Sequence, residues 1–205
     1  AGAPPDEGAR RMTPEPLAPT PWVFDPSEWP GDDCVASGAD LDPGTIIEAY
    51  RHGAFPMPHD GQLLWWSPMQ RGVLEPPRVH VSRSLRRSMR HFTVTIDECF
   101  EEVIDACADP TRPGSWIDDS IRAAYVGLHR LGWAHSVETR NSSGDLVGGL
   151  YGLCVGGLFA GESMFHHETD ASKAAVASLA EVVGPQRLID VQWSTPHLAS
   201  LGVTQ

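Results

Sequence analysis

The residue order predicts an α+β fold, and three observations carry that prediction. Helical segments come first, then a run of strands joined by short turns, then a helix and one more strand, so helices flank a sheet rather than alternate with its strands. At 205 residues the chain can bury a sizeable core. No GxGxxG or Walker-type loop follows a strand, which leaves nucleotide-cofactor folds without support.

In chain order, residues 1–20 are rich in Pro, Ala and acids and lack the apolar stretch of a secretory signal; they read as a disordered leader. Residues 21–72 read as a small, loop-rich N-terminal domain with one helix over Pro43 to His52. Ile46, Ile47 and Tyr50 share its apolar face, Asp42 can cap it, Pro43 suits its first turn and Gly53 can end it. Residues 73–205 read as a larger domain. There Ser82 caps a short basic helix, Phe92 to Ile96 alternates like a half-buried strand, and Asp97 to Ala108 forms a helix with Phe100, Val103, Ile104 and Cys107 on one stripe. Asp118 or Asp119 opens a helix that Gly132 stops. Strands over Ala134–Thr139, Leu146–Val155 and Gly157–Ser163 form a meander, Asp170 caps a helix through Val183, and Arg187–Trp193 reads as a buried strand.

A formal charge of −12 argues against a protein that coats nucleic acid. The stretch Arg78 to His91 nevertheless holds five arginines and no acid, in a chain with a single lysine, Lys173. It is either a solvated helix face or a local nucleic-acid contact. No apolar run reaches the ~18 residues that would span a bilayer, so the expectation is a soluble, cytoplasmic protein. Cys34, Cys99, Cys107 and Cys154 lack both CxxC spacing and disulfide-scaffold density, and read as buried, reduced thiols. The nine histidines have no partner pattern for a metal, and none is predicted.

Three features invite a chemical reading. Glu162, in Gly161-Glu-Ser-Met-Phe165, ends a glycine-rich strand pair and faces either solvent or a cleft. Asp190 and Gln192 stand two apart on a strand that otherwise reads as buried, so they share a face and need hydrogen-bond partners, each other included. Trp116 precedes a helix, where it could plug a core or stack on a base; Trp65 and Trp66 read as core. Leu150, Phe159, Met164 and Ile189 would line one apolar pocket if their strands are adjacent, and core packing explains them equally well.

Taken together, GADLDPGTIIEAYRHGAFPM, LLWWSPMQRGVL, VSRSLRRSMR, GSWIDDSIRAAYVGLHRLGWAHSVE, LVGGLYG, GLFAGESMFHHETDASKAA and LIDVQWSTPHLASLG resemble, in order, the motifs of the leucyl/phenylalanyl-tRNA–protein transferase family. The resemblance runs from about residue 22 to the end. It implies a GNAT-like (acetyltransferase-type) C-terminal domain and a reaction in which leucine, phenylalanine or methionine passes from aminoacyl-tRNA to the α-amine of a protein beginning with Arg or Lys, marking it for degradation. Asp190 and Gln192 are then the implied catalytic pair, Glu162 lines the acceptor cleft, and Leu150, Phe159, Met164 and Ile189 hold the transferred side chain. Trp116 stacks on the terminal adenine, with Met57 standing where relatives carry Trp. Arg83, Arg86, Arg87 and Arg90 meet tRNA phosphates. The resemblance implies no cofactor, no metal, no membrane partner and a monomer. Relatives continue past LASLG, so the C-terminal end reads as truncated. The alternatives are an acyl-CoA-dependent N-acyltransferase of the same fold, whose usual pyrophosphate loop is missing before Asp170, and a non-catalytic tRNA- or peptide-binding module.

Overall fold

The computed structural model describes residues 13–112 and 114–205. Among these described residues six α-helices and nine strands follow one another as β1 (Cys34–Ser37), α1 (Pro43–His52), β2 (Phe55–His59), β3 (Gln62–Trp66), β4 (Gly72–Leu74), α2 (Arg83–Ser88), β5 (Thr93–Ile96), α3 (Phe100–Ala108), α4 (Asp119–Arg130), β6 (Ala134–Arg140), β7 (Leu146–Val155), β8 (Leu158–His166), α5 (Ala171–Val183), β9 (Leu188–Gln192) and α6 (Pro196–Ala199). The expected α+β class is what the chain adopts.

The main sheet has the order β4-β9-β8-β7-β6-β5, antiparallel except where β8 and β9 run parallel. Adjacent glycines of β7 show how it is sandwiched. A side chain on Gly148 would strike Ala171 of α5, and one on Gly149 would meet Val103 of α3, so α5 covers one face and α3 the other. The apolar residues divide accordingly into two layers. Leu74, Leu150, Phe159, Ile189 and the apolar side of α5 pack on one face, and Phe100, Ile104, Ile121, Tyr151 and Phe165 on the other.

Several signals act as the sequence leads one to expect. Ser82 accepts the Leu85 N–H at 3.1 Å, Asp118 accepts from Ser120 and Ile121, and Gly53 ends α1 at φ 92°. Others do not. Asp97 sits at φ 60° and spends its carboxylate on the Ser136 N–H and the His135 ring, so α3 begins only at Phe100. Asp170, also left-handed at φ 70°, gives no side-chain cap and instead accepts from the Ser88 hydroxyl at 2.8 Å, tying α5 to the basic helix.

The N-terminal part is more ordered than its loop-rich composition suggests. Beside α1 it forms a three-stranded sheet, β1-β3-β2, in which β2 and β3 are joined at Asp60-Gly61, both with positive φ. Asp-Gly is a strong two-residue hairpin signal. The buried Trp65 of β3 belongs to the same apolar layer as α3 and α4, so no seam of solvent divides the two parts. Of the expected disordered leader, residues 1–12 lie outside the described residues. Residues 13–20 correct that expectation: Glu15 donates its N–H to the Leu131 carbonyl and accepts from the Trp133 indole, both at 2.9 Å, and Thr20 meets Thr45 at 2.7 Å. An extended segment with its backbone groups engaged and Leu17 against the core is held in place.

Candidate active site

β8 and β9 pair in parallel only from Leu158↔Leu188 to Ala160↔Asp190. Beyond that point they part, and a pocket of about 100 Å³ opens between them, lined by Leu150, Met164, Val176, Leu179, Ile189, Val191 and Leu198 along its apolar wall and by Glu162 and Gln192 at its polar end. A larger hollow of about 300 Å³ lies between residues 16–21 and the start of α1, remote from these groups. We take the smaller one as the candidate site because the polar groups converge there.

Glu162 reaches the pocket through an irregularity. Tyr151 opposes Ser163, and the next residue, Gly152, opposes Gly161, so Glu162 is the surplus residue of a β-bulge. Its carboxyl accepts from the Tyr125 hydroxyl at 3.1 Å on one oxygen and from the Gln192 side-chain amide at 3.3 Å on the other. Tyr125 in turn shares a 2.7 Å hydrogen bond with Tyr50, which brings α1 and α4 into the site. Burial pushes Glu162 up to about 8, with repulsion from Asp190 adding and the tyrosine hydrogen bonds and Arg71 opposing.

A raised acid destabilises the fold as pH climbs. Below its ordinary 4.5 it is protonated in both folded and unfolded chains; between 4.5 and about 8 only the unfolded chain ionises freely. Glu162→Gln, which keeps the shape but never ionises, is expected to gain on the wild type by ~2 kcal/mol in urea-unfolding stability between pH 5 and pH 8, less than the full shift converts to because the group touches the pocket. A constant difference across that window would show that Glu162 is not the titrating group.

Asp190 and Gln192 were expected on one face of a regular strand. The structure corrects this: Gln192 has φ 55°, which breaks the alternation and sends its amide to Glu162 rather than to Asp190. Asp190 instead accepts the backbone N–H of Gln192 at 2.9 Å. Its side chain, 2% exposed, is clamped by Arg71, whose Nε lies 3.0 Å from both carboxylate oxygens and whose Nη2 lies 2.6 Å from Oδ2. Opposite Gln192, Gly72 sits in a tight place, where a Cβ would lie 3.0 Å from Val191 Cγ2 and 3.1 Å from the Ser194 N.

Of the other expected residues, Leu150, Met164 and Ile189 line the pocket, and Phe159 lies buried in the same apolar layer without being part of the lining. Met57 and Trp116 are not brought there; both pack against the other layer, on the α3 side. Arg83, Arg86, Arg87 and Arg90 are exposed around the buried Leu85, and among the described residues none of them has a carboxylate partner. Sequence reasoning missed Arg71, Tyr50 and Tyr125. Tyr50 is legible as an α1 face residue, but nothing local marks Arg71, whose partner is 119 residues away.

The parting of β8 from β9 thus opens a cleft in an α+β fold, where an acid and an amide face an aliphatic wall, the arrangement of a site that binds an apolar group beside polar chemistry. Comparison with known proteins narrows this. A family described as leucyl/phenylalanyl-tRNA protein transferase matches residues 73–205, and its N-terminal domain matches residues 39–69. The chain belongs to the leucyl/phenylalanyl-tRNA–protein transferase family. A relative of that name from Pseudomonas entomophila is 52% identical over 82% of this chain and 77% of its own, and one from Azoarcus sp. is 45% identical over 89% and 83%. Among solved structures, a GCN5-related N-acetyltransferase from Kribbella flavida is 16% identical, with a TM-score of 0.42 over 79% of this chain and 60% of its own.

Proposed function

We infer that this chain transfers a leucyl or phenylalanyl group, and methionyl as a further donor, from aminoacyl-tRNA to the α-amine of a protein beginning with Arg or Lys. The reading extends to a cytoplasmic monomer whose product is marked for degradation. The observation that carries it is the meeting, in one pocket of a chain of this family, of an aliphatic wall with the Glu162–Gln192 couple. Among the described residues no helix is long and apolar enough to cross a membrane.

In this mechanism the aliphatic wall seats the donor's side chain, and the α-amine nitrogen attacks the ester carbonyl. The C–N bond forms, the C–O bond to the terminal ribose breaks, and the ribose oxygen leaves with a proton. The ester carries the driving force. Gln192 is too weak a base to remove a proton alone, so its amide acts by orientation, and Glu162, held protonated by burial, offers the acceptor amine a hydrogen-bonding partner rather than a charge. Asp190, spent on Arg71 and on a backbone N–H, orients Gln192 through the main chain rather than by polarising its side chain. Met57 and Trp116 receive no role in the pocket. A volume of about 100 Å³ suits a leucyl group better than a phenyl ring, since a cavity of roughly 150 Å³ is the scale that accepts benzene. The test is an assay of labelled leucine moving from charged tRNA to an Arg-starting peptide, with acetyl-CoA as the rival donor. Product from acetyl-CoA alone would reject the reading.

The exposed arginines of α2 are the tRNA contact in this reading. Arg86→Glu combined with Arg87→Glu is expected to weaken tRNA binding by about 10-fold or more at 100 mM salt and to lower the slope of log K against log salt by roughly 1.5–2. An unchanged slope in a filter-binding titration would remove α2 from the interface.

A further inference from the structure

We propose that Arg71 is a positioning residue for aminoacyl transfer, holding Gln192 in its working orientation from a distance; the proposal rests on the function inferred above. Arg71 is not one of the residues lining the pocket, and its hydrogen bonds go to Asp190 and Gly53 rather than to Glu162. Its guanidinium instead serves two parts of the fold at once. Nε and Nη2 grip the Asp190 carboxylate, while Nη1 donates to the Gly53 carbonyl at 2.6 Å, at the end of α1. The cation also lies over the Phe55 ring at 5.9 Å.

The sequence of contacts then runs in one direction. Gly53, fixed by the left-handed end of α1, anchors the guanidinium; the guanidinium fixes Asp190; Asp190 Oδ1 accepts the Gln192 N–H; and that bond restrains Gln192 in a left-handed conformation that a non-glycine residue adopts only when its surroundings impose it. In that conformation the side-chain amide donates to Glu162 at 3.3 Å. Lysine has one charged nitrogen where this geometry uses three nitrogens of a planar fork facing two directions, so it cannot reproduce the grip on both Asp190 oxygens together with the Gly53 bond. The same linkage makes α1 and β2 part of the catalytic apparatus although they contribute nothing to the pocket wall.

The experiment uses the full chain in the leucine-transfer assay, with Arg71→Lys and Arg71→Ala. Arg71→Lys is expected to lose about 10- to 100-fold in kcat, the scale of an ångström-sized misplacement, while KM for charged tRNA and for the peptide stays within about threefold and the circular dichroism spectrum is unchanged. Arg71→Ala, assayed cold to favour the folded chain, is expected to regain kcat when millimolar guanidinium is added, and not when an equal concentration of ammonium is. A kcat for Arg71→Lys within about twofold of wild type, or a loss confined to KM, overturns the proposal while leaving the function intact. If Arg71→Ala folds and guanidinium does nothing, the proposal also fails; should that variant not fold, Arg71→Lys alone decides. A wild-type chain without transfer activity overturns both readings together.

Discussion

Asp190→Ala is expected to lower the free energy of unfolding by about 3–5 kcal/mol, and to abolish transfer even where the variant is kept folded. The carboxylate is almost wholly enclosed, and it gathers three contacts from two nitrogens of Arg71 and one from a backbone N–H. Removing it leaves a guanidinium that is only a quarter exposed facing a void, with its remaining bond to the Gly53 carbonyl. Such a cation must either drag in water or pull away, and both disturb the junction of α1, β2 and β9. Asp190→Asn should fall between, because the amide keeps the volume and one acceptor oxygen but not the charge. Urea unfolding followed by tryptophan fluorescence measures the effect. A midpoint for Asp190→Ala close to wild type would mean that Arg71 finds another partner and that the clamp contributes little. By contrast Gln192→Ala removes a side chain with a single 3.3 Å hydrogen bond and should spare stability while losing activity.

Gly152→Ala is the second large effect. A methyl group there would lie 2.2 Å from the Ala160 carbonyl oxygen and 2.5 Å from Cε1 of Phe159. The phenyl ring could turn aside, but the carbonyl belongs to the β7–β8 ladder and cannot retreat without breaking it. We expect a loss of about 3 kcal/mol, at the upper end of what overpacking costs, and a Tm lower by roughly 6–12 °C for a chain of this size. Because Phe159 is the neighbour displaced, the survivors should also discriminate less sharply between leucyl and phenylalanyl donors. Calorimetry tests the first statement and competing-substrate assays the second; a Tm within a degree or two of wild type would show that the strands have slack at this point.

How much of this was legible in the residues depends on how local the cause is. Ser82, Asp118 and Gly53 act on backbone groups within four positions, and their helices begin or end where sequence reasoning puts them. Asp97 and Asp170 look the same on paper but answer to His135, Ser136 and Ser88, partners that only the fold brings near, so they take left-handed backbones and cap nothing. The Asp60-Gly61 turn signal goes unread in a segment that reads as loop-rich, because the prolines in Phe55-Pro-Met-Pro-His59 disguise the strand before it, proline being expected only where the ladder needs no donor. The pairing of Glu162 with Gln192 follows from a bulge and a positive φ, neither of which a two-residue alternation can foresee. The apolar wall was easier, because Leu150, Met164 and Ile189 needed only adjacent strands.

The extra residue in β8 does more than re-aim one carboxyl. Phe159 and Met164 are five positions apart, an odd count that in an unbroken strand would put them on opposite sides, yet both join the layer beneath α5; Ala160 and Phe165 meet the other layer by the same odd step. The insertion thus flips the parity of the strand midway, so that two stretches written out of phase are read in phase by the fold. Excising a single residue between Gly161 and Ser163 would restore the count and turn every side chain on one half of β8 inside out. That makes the length of this turn, and not only its composition, a condition for the pocket to exist.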